Sequence, residues 1–317
     1  MLLIAVLSTP AIAAVEKPGT IRIGTFVVNV AELDSSRGTF SADFWIWSIS
    51  NPSDAFNLQS ELEINYLDSK ERFNASDYFK KTLPTGDTYQ SEKIQGTFLH
   101  DYDLTSFPFD RQHLQIEIED NSRDVNQIKY SDDNTSGIDS HIAIDGWKIE
   151  KTSSVSEPHK YATNFGDPTA PSNDAYSRVR ITVDASRNTP LILVKMTLGL
   201  IIAVMLAIFS CFMPTTHAEI FSGRMLLVGS SLFAIVLNQQ FVDDRIGEHT
   251  GLTLIDRLHM LGMVTVLAYM ILAIASRLFH ENKTNINLKR LDQSAFCCGL
   301  VLFFGFFTLL IFLAVRS

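Results

Sequence analysis

Four long apolar stretches fill the last third of this chain, approximately Leu191–Met213, Ile220–Val242, Leu258–Leu278 and Ser294–Val315. A bilayer core offers no water to backbone N–H and C=O groups, so segments of this kind cross it as helices. At a 1.5 Å rise per residue the second would be roughly 35 Å long, enough to span the hydrocarbon. It carries polar groups along one face and acids at its end. On a 3.6-residue wheel Ser222, Leu226, Ser230, Phe233, Leu237, Gln240 and Asp244 fall within a sector of roughly 80°. Hydroxyls, an amide and a carboxylate interrupted by bulky apolar groups suit a water-filled pathway with a closable constriction. The competing use of polar groups in membrane helices is to hydrogen-bond neighbouring helices, the role expected of Ser231 and Asn238 on the opposite face.

The chain has 317 residues, room for two domains. Residues 15–188 hold 28 Asp and Glu against 17 Lys and Arg, whereas 189–317 hold 7 against 9. An acidic first half argues against nucleic acid as a partner and would concentrate cations near a mouth; solubility is the plainer use of the same charge. Residues 1–14, with Met1-Leu2-Leu3-Ile4-Ala5-Val6-Leu7 and then Ala11-Ile12-Ala13, read as a partial secretion signal without the usual basic leader. Export of 15–188 follows from that reading. The three cysteines, Cys211, Cys297 and Cys298, all lie in apolar spans, so the exported half has no disulfide.

The exported half reads as strands. Leu114, Ile116 and Ile118 alternate with Gln115, Glu117 and Glu119, and Val179, Ile181 and Val183 with Arg178, Arg180 and Thr182. Phe40–Trp47 and Leu58–Tyr66 behave likewise, with turn-rich pieces between. Seven or more such strands predict an antiparallel β-sandwich of about 170 residues, ahead of a four-helix membrane domain over 189–317. Arg277, Lys283, Lys289 and Arg290 flank the link between spans three and four and place it in the cytoplasm. Asp243–Ile255, the link between spans two and three, is acidic and belongs outside. Sandwich and C-terminus then both lie outside the cytoplasm, in a multi-pass cell-membrane protein.

Phe107-Pro108-Phe109-Asp110, followed by Gln112, resembles the signature loop of pentameric ligand-gated ion channels, the Cys-loop receptor superfamily. Arg187 matches the family's pre-membrane arginine, Gly146-Trp147 a frequent family pair, and Val228–Asn238 the pore helix of bacterial members. Leu254-Ile255-Asp256 opens the third span in the same way. The resemblance covers roughly residues 20–317 in one order. His100 and Leu114 stand where animal members have bridging cysteines, and Thr197 and Gly247 where prolines are expected. The stretch from Leu67 to Gln95 lacks the family's Trp-x-Pro segment, and the link at Phe279–Gln293 is too short for an intracellular domain. These departures point to the prokaryotic type.

The resemblance implies a homopentamer in the lipid bilayer, with five copies of span two around a pore passing monovalent cations. A ring of Phe233 would be the hydrophobic gate, with Leu226 and Leu237 as competing constrictions. Asp244 at the outer mouth and Glu219 at the inner one would favour cations, with Arg224 snorkelling or paired with Glu219. Ser222-Gly223 occupies the stretch where cation-selective relatives often place Glu. A charged pair at a domain boundary, Asp110 with Arg187, is expected from the residues alone, either as a static strut or as a gating contact. The resemblance adds Asp34 to that cluster, beside Phe107, Pro108 and Phe109.

For the ligand the resemblance implies a site between neighbouring sandwiches, capped by the hairpin at Glu157–Tyr176 and lined by Tyr130, Tyr161 and Tyr176. Aromatic faces suit an organic cation at ~0.5–2 kcal/mol each, and ordinary sandwich packing is the alternative. A small amine, a carboxylate or a proton could be the trigger, with His249 and His217 as candidate titrating groups. Trp45 and Trp47 are expected in the core or an interface, Cys297 and Cys298 against lipid or neighbouring helices. The sequence shows no nucleophile elbow, phosphate loop, zinc motif or convincing metal-ligand spacing, so neither an enzyme nor a cofactor is expected. The rival from another class is a membrane-anchored binding or adhesion protein.

Overall fold

A computed structural model describes residues 17–65, 78–164, 166, 175–247 and 251–316. The expected leader, Tyr66, most of the tip of the 157–176 hairpin and His249 lie outside the described residues.

Ten strands form two sheets among the described residues. The first has the order β4 (Phe79–Thr82), β5 (Thr88–Leu99), β2 (Thr39–Ser50), β1 (Gly19–Asp34) and β7 (Ile128–Asp132), with β8 (Gly137–Ile138) also beside β1. The second runs β3 (Leu62–Ile64), β6 (Arg111–Asp124), β10 (Ala175–Arg187) and β9 (Trp147–Lys160). Period-two patterning decides which side chains meet. Phe40, Ala42, Phe44 and Ile46 of β2 point inward, against Leu114, Ile116 and Ile118 of β6 and Val179, Ile181 and Val183 of β10. Phe98 of β5 stacks on Phe40 at 5.3 Å.

Two expectations change here. The sheets are not wholly antiparallel, because β1 pairs in parallel with both β7 and β8. Leu58–Tyr66 is not one strand: α1 (Leu58–Glu61) precedes the short β3. The Asn57 side chain caps Gln59 N at 3.0 Å and Glu61 Oε2 accepts from Asn57 N at 3.1 Å, a local hydrogen-bond set that competes successfully with the ladder. Trp45 and Trp47 are half-buried on the outer face of β2, where Trp47 Nε1 donates to Asp133 Oδ2 at 3.0 Å.

The four apolar stretches are helices: α2 (Thr189–Phe209), α3 (Ala218–Ile246), α4 (Leu254–Glu281) and α5 (Leu288–Arg316). All are long and apolar enough to cross a membrane, as in a multi-pass membrane protein. Helices α2 and α4 flank α3 and also pack on each other, while α5 lies against α4 and the residues following α2. Helix α3 outruns its apolar core, so Asp243 and Asp244 belong to its last turn rather than to the following link. It stops at Gly247, whose φ of 83° suits glycine and whose N–H reaches Asp243 O at 2.9 Å. Thr253 and Asp256 form a capping box that starts α4.

Candidate functional site

Every residue of the stripe on α3 is exposed in the single chain: Ser222, Leu226, Ser230, Phe233, Leu237, Gln240 and Asp244. Leu226 is 72%, Phe233 64% and Leu237 48% exposed. Val228, Ser231, Ile235, Val242 and Ile246 on the opposite face are buried against the bundle. Exposure of apolar groups alone means little in a membrane helix, since lipid tails are as apolar as leucine. The exposed side of α5 makes the contrast: apart from Thr308, whose hydroxyl donates to Phe304 O of its own helix at 2.8 Å, it presents Val301, Leu302, Phe306, Leu309, Phe312 and Leu313. On α3 the exposed side also carries Ser230, Gln240 and Asp244, groups that hydrocarbon penalises. Chemistry distinguishes the two faces.

Glu219 is exposed in the first turn of α3, but it does not hold Arg224. Five residues on a helix place the two about 140° apart. Arg224 is instead fully buried, and its Nη1 and Nη2 each donate to Asp292 Oδ1 of α5 at 3.1 Å. Nη1 also reaches Met213 O at 3.2 Å, while Nε is buried without a hydrogen-bond partner. The sequence signal was partly available: Arg224, inside an apolar segment, needs a carboxylate, and Asp292 stands just ahead of the fourth segment. Ser231 also differs from expectation, its hydroxyl donating to Leu227 O of its own helix at 2.9 Å. Asn238 Oδ1 does reach across, 3.1 Å from His259 Nε2 of α4.

At the boundary between sandwich and bundle, the loop after β5 inserts Tyr102, Leu104 and Phe107 into the apolar cluster of the helices, beside Ile246, Leu254 and Ile255. Pro108 and Phe109 complete the turn, with a cis Phe107–Pro108 bond and Phe109 packed on the same cluster. Asp110 follows at the start of β6, and Arg187 closes β10 directly ahead of α2. Their contact is bidentate, Arg187 Nε to Asp110 Oδ1 at 2.8 Å and Nη2 to Oδ2 at 3.1 Å. The guanidinium lies over the Trp147 ring at 4.1 Å and the Phe107 ring at 4.8 Å. Trp147 as a stacking partner could not be read from the sequence, since only the β9–β10 register sets it opposite Arg187.

Asp34 occupies the adjacent β1–β2 turn, yet its carboxylate serves that turn. It accepts from Ser36 Oγ at 2.6 Å, Ser36 N at 2.9 Å and Arg37 N at 3.1 Å. The Ser36 hydroxyl and those backbone donors hold the Asp34 carboxyl below the usual carboxylate range, against the opposing effect of burial. Ser35 makes the connection to the bundle, its hydroxyl donating to Ile246 O at 3.1 Å. A Cβ on Gly247 would fall 2.4 Å from Ser36 Cα, so a side chain there would push the turn away from α3.

The three candidate ligand tyrosines do not come together as a set, because Tyr130 lies apart from the other two. Tyr130 is a core residue, 5% exposed, with its hydroxyl on Asp120 Oδ2 at 3.1 Å and its ring against Phe56. Its position on β7 turns the ring inward. Tyr161 and Tyr176 do meet on the outer side of the second sheet, with ring centroids 5.8 Å apart and His159 4.6 Å from Tyr161. Tyr161 donates to Glu119 Oε2 at 2.5 Å. Burial, then that bond, raises the phenol above its ordinary range. Glu119 also takes Arg178 Nε at 2.5 Å, in a ladder continued by Arg178–Glu117 and Arg180–Glu117. Cross-strand register created this ladder, with Arg178 opposite Glu119 and Arg180 opposite Glu117. His217 is exposed ahead of α3; Cys297 and Cys298 are exposed on α5 and Cys211 is buried. No group of three metal-ligating side chains occurs among the described residues.

No protein-family model and no curated protein matches this chain.

Proposed function

We propose that the chain is one subunit of a homopentameric ligand-gated ion channel of prokaryotic Cys-loop type, cation-selective and opened at the interface between sandwiches. The observation carrying this reading is the exposed side of α3, where Ser222, Ser230, Gln240 and Asp244 share one sector with Leu226, Phe233 and Leu237. Five such faces turned toward an axis would satisfy the polar groups with water and leave the apolar rings as barriers that close by dewetting. An anchor for a binding domain gives that stripe no purpose. The joint of Asp110, Arg187, Phe107 and Trp147 supports a coupling role, because it lies between the last sandwich strand and the helix flanking α3. Tyr161 and Tyr176 support an organic cation as trigger.

A proton is the second form of the same reading. Glu92 of β5 is 1% exposed and burial raises its carboxyl above the usual range, so acid reaches it early. The test is current through a planar bilayer holding the purified chain, challenged with primary amines, aromatic carboxylates and pH steps. Cation-selective current evoked by one of them is expected, with Phe233→Ser giving a larger resting leak. Silence under all three, a reversal potential tracking chloride, or an unchanged leak in the variant would each count against the corresponding part.

A further inference from the structure

One cleft at the bilayer edge has a cationic lining without a carboxylate. It opens between the sandwich-side ends of α2 and α3, measures about 530 Å³, and is walled by Ile192, Met196 and Phe241. Its cations are Arg187, Lys195 and Arg245. Arg187 is neutralised by Asp110, as described above. Lys195 and Arg245 are both exposed and neither pairs with a carboxylate among the described residues. Arg245 lies over the Phe241 ring at 4.8 Å, which orients it without discharging it.

Depth matters as much as charge. Lys195 is six residues into α2, roughly 9 Å along the helix axis, where headgroups give way to hydrocarbon. Two cations on adjacent helices at that depth, above an apolar wall, match an amphiphile that bears an anion at its head. We propose that this cleft binds the headgroup of an anionic membrane lipid, its phosphate between Lys195 and Arg245 and one acyl chain along Ile192 and Met196. The inference requires the helices to cross a bilayer and does not require them to conduct. Ser35, whose hydroxyl bonds the end of α3, lines the same cleft, so an occupant would touch both helices and the sandwich turn together.

The test uses the full chain in vesicles mixing phosphatidylcholine and phosphatidylglycerol, with either one or the other brominated, and Ile192→Trp as reporter. The native Trp45, Trp47 and Trp147 all belong to the sandwich and set the background. Phosphatidylglycerol is expected to quench the reporter preferentially. Lys195→Gln and Arg245→Gln should each reduce the preference about fivefold, and together abolish it. Equal quenching by the two lipids, or a preference that survives both substitutions, overturns the proposal. So does absence of quenching by either, the outcome if a neighbouring copy fills the cleft. Should the reporter fail to fold, native mass spectrometry of the unsubstituted chain and the double glutamine variant decides: equal phosphatidylglycerol retention again overturns it.

Discussion

Two arginine–aspartate pairs hold this molecule together, one at each end of the bundle, and they are built differently. Arg187 and Asp110 meet at the sandwich boundary with two separate oxygens in use, 2.8 and 3.1 Å, and side chains 14% and 1% exposed. Two aromatic rings cover the guanidinium, and Gln112 Nε2 donates to Asp110 Oδ2 at 2.9 Å. Arg224 and Asp292 meet deeper, at 0% and 9% side-chain exposure, with both guanidinium nitrogens sharing a single carboxylate oxygen and Nε unpartnered. The first pair is nearly saturated and keeps an edge to water, so it can be remade in another geometry. In the second the guanidinium has no solvent to replace a lost partner, although Asp292 lines a cleft. On this contrast the first pair is expected to act as a joint, and the second as a fixed tie between α3 and α5.

The sharpest way to break this contrast is Asp292→Ala. It strands a fully buried guanidinium and should lower stability by about 3–5 kcal/mol, read as a fall in thermal unfolding temperature in detergent. Replacing both partners, Arg224→Met with Asp292→Leu, should restore most of that loss, because the desolvation cost goes with the charges. A double variant as damaged as the single one would show that the two side chains do not act as a pair. Asp110→Asn should cost less, about 2 kcal/mol, since the rings still hold Arg187 and one hydrogen bond can persist. Its larger effect is expected on the concentration of agonist needed for current. A cycle with Arg187→Gln should give a coupling of about 1–3 kcal/mol, and additive single effects would dismiss the joint.

The smallest effect is on pH. His100 Nε2 lies 3.2 Å from Gln112 Oε1, three hydrogen bonds from Arg187 through Gln112 and Asp110. Burial pushes the His100 imidazole below its ordinary value of 6.5. The unfolded chain therefore takes up the proton first, and stability present above that value is lost as pH falls through the lowered folded value. His100→Gln should flatten this slope in unfolding measured across mildly acid pH. An unchanged slope would remove His100 from the boundary network.

Much of the framework was legible locally. Alternation in Leu114–Ile118 and Val179–Val183 marks strands because a pleated backbone sends successive side chains to opposite faces. The polar stripe on α3 is legible because a helix repeats every 3.6 residues. Tyr130 was not legible as core, since a buried strand face and a ligand-facing one carry the same aromatic at the same spacing. Nor was α1, where Asn57 and Glu61 outcompeted a strand pattern through side-chain capping.

The sequence by itself determined where the chain turns from alternating strands to apolar helices, and which face of α3 is polar, because both are periodicities of neighbours along the backbone. Only the tertiary structure decided that Arg224 belongs to Asp292, that Trp147 and Phe107 cover Arg187, and that Ser35 rather than Asp34 bonds the end of α3. Those contacts join residues 40 to 211 positions apart. Partners at such separations are selected by how the packed elements cross, and the local pattern of residues carries no record of it.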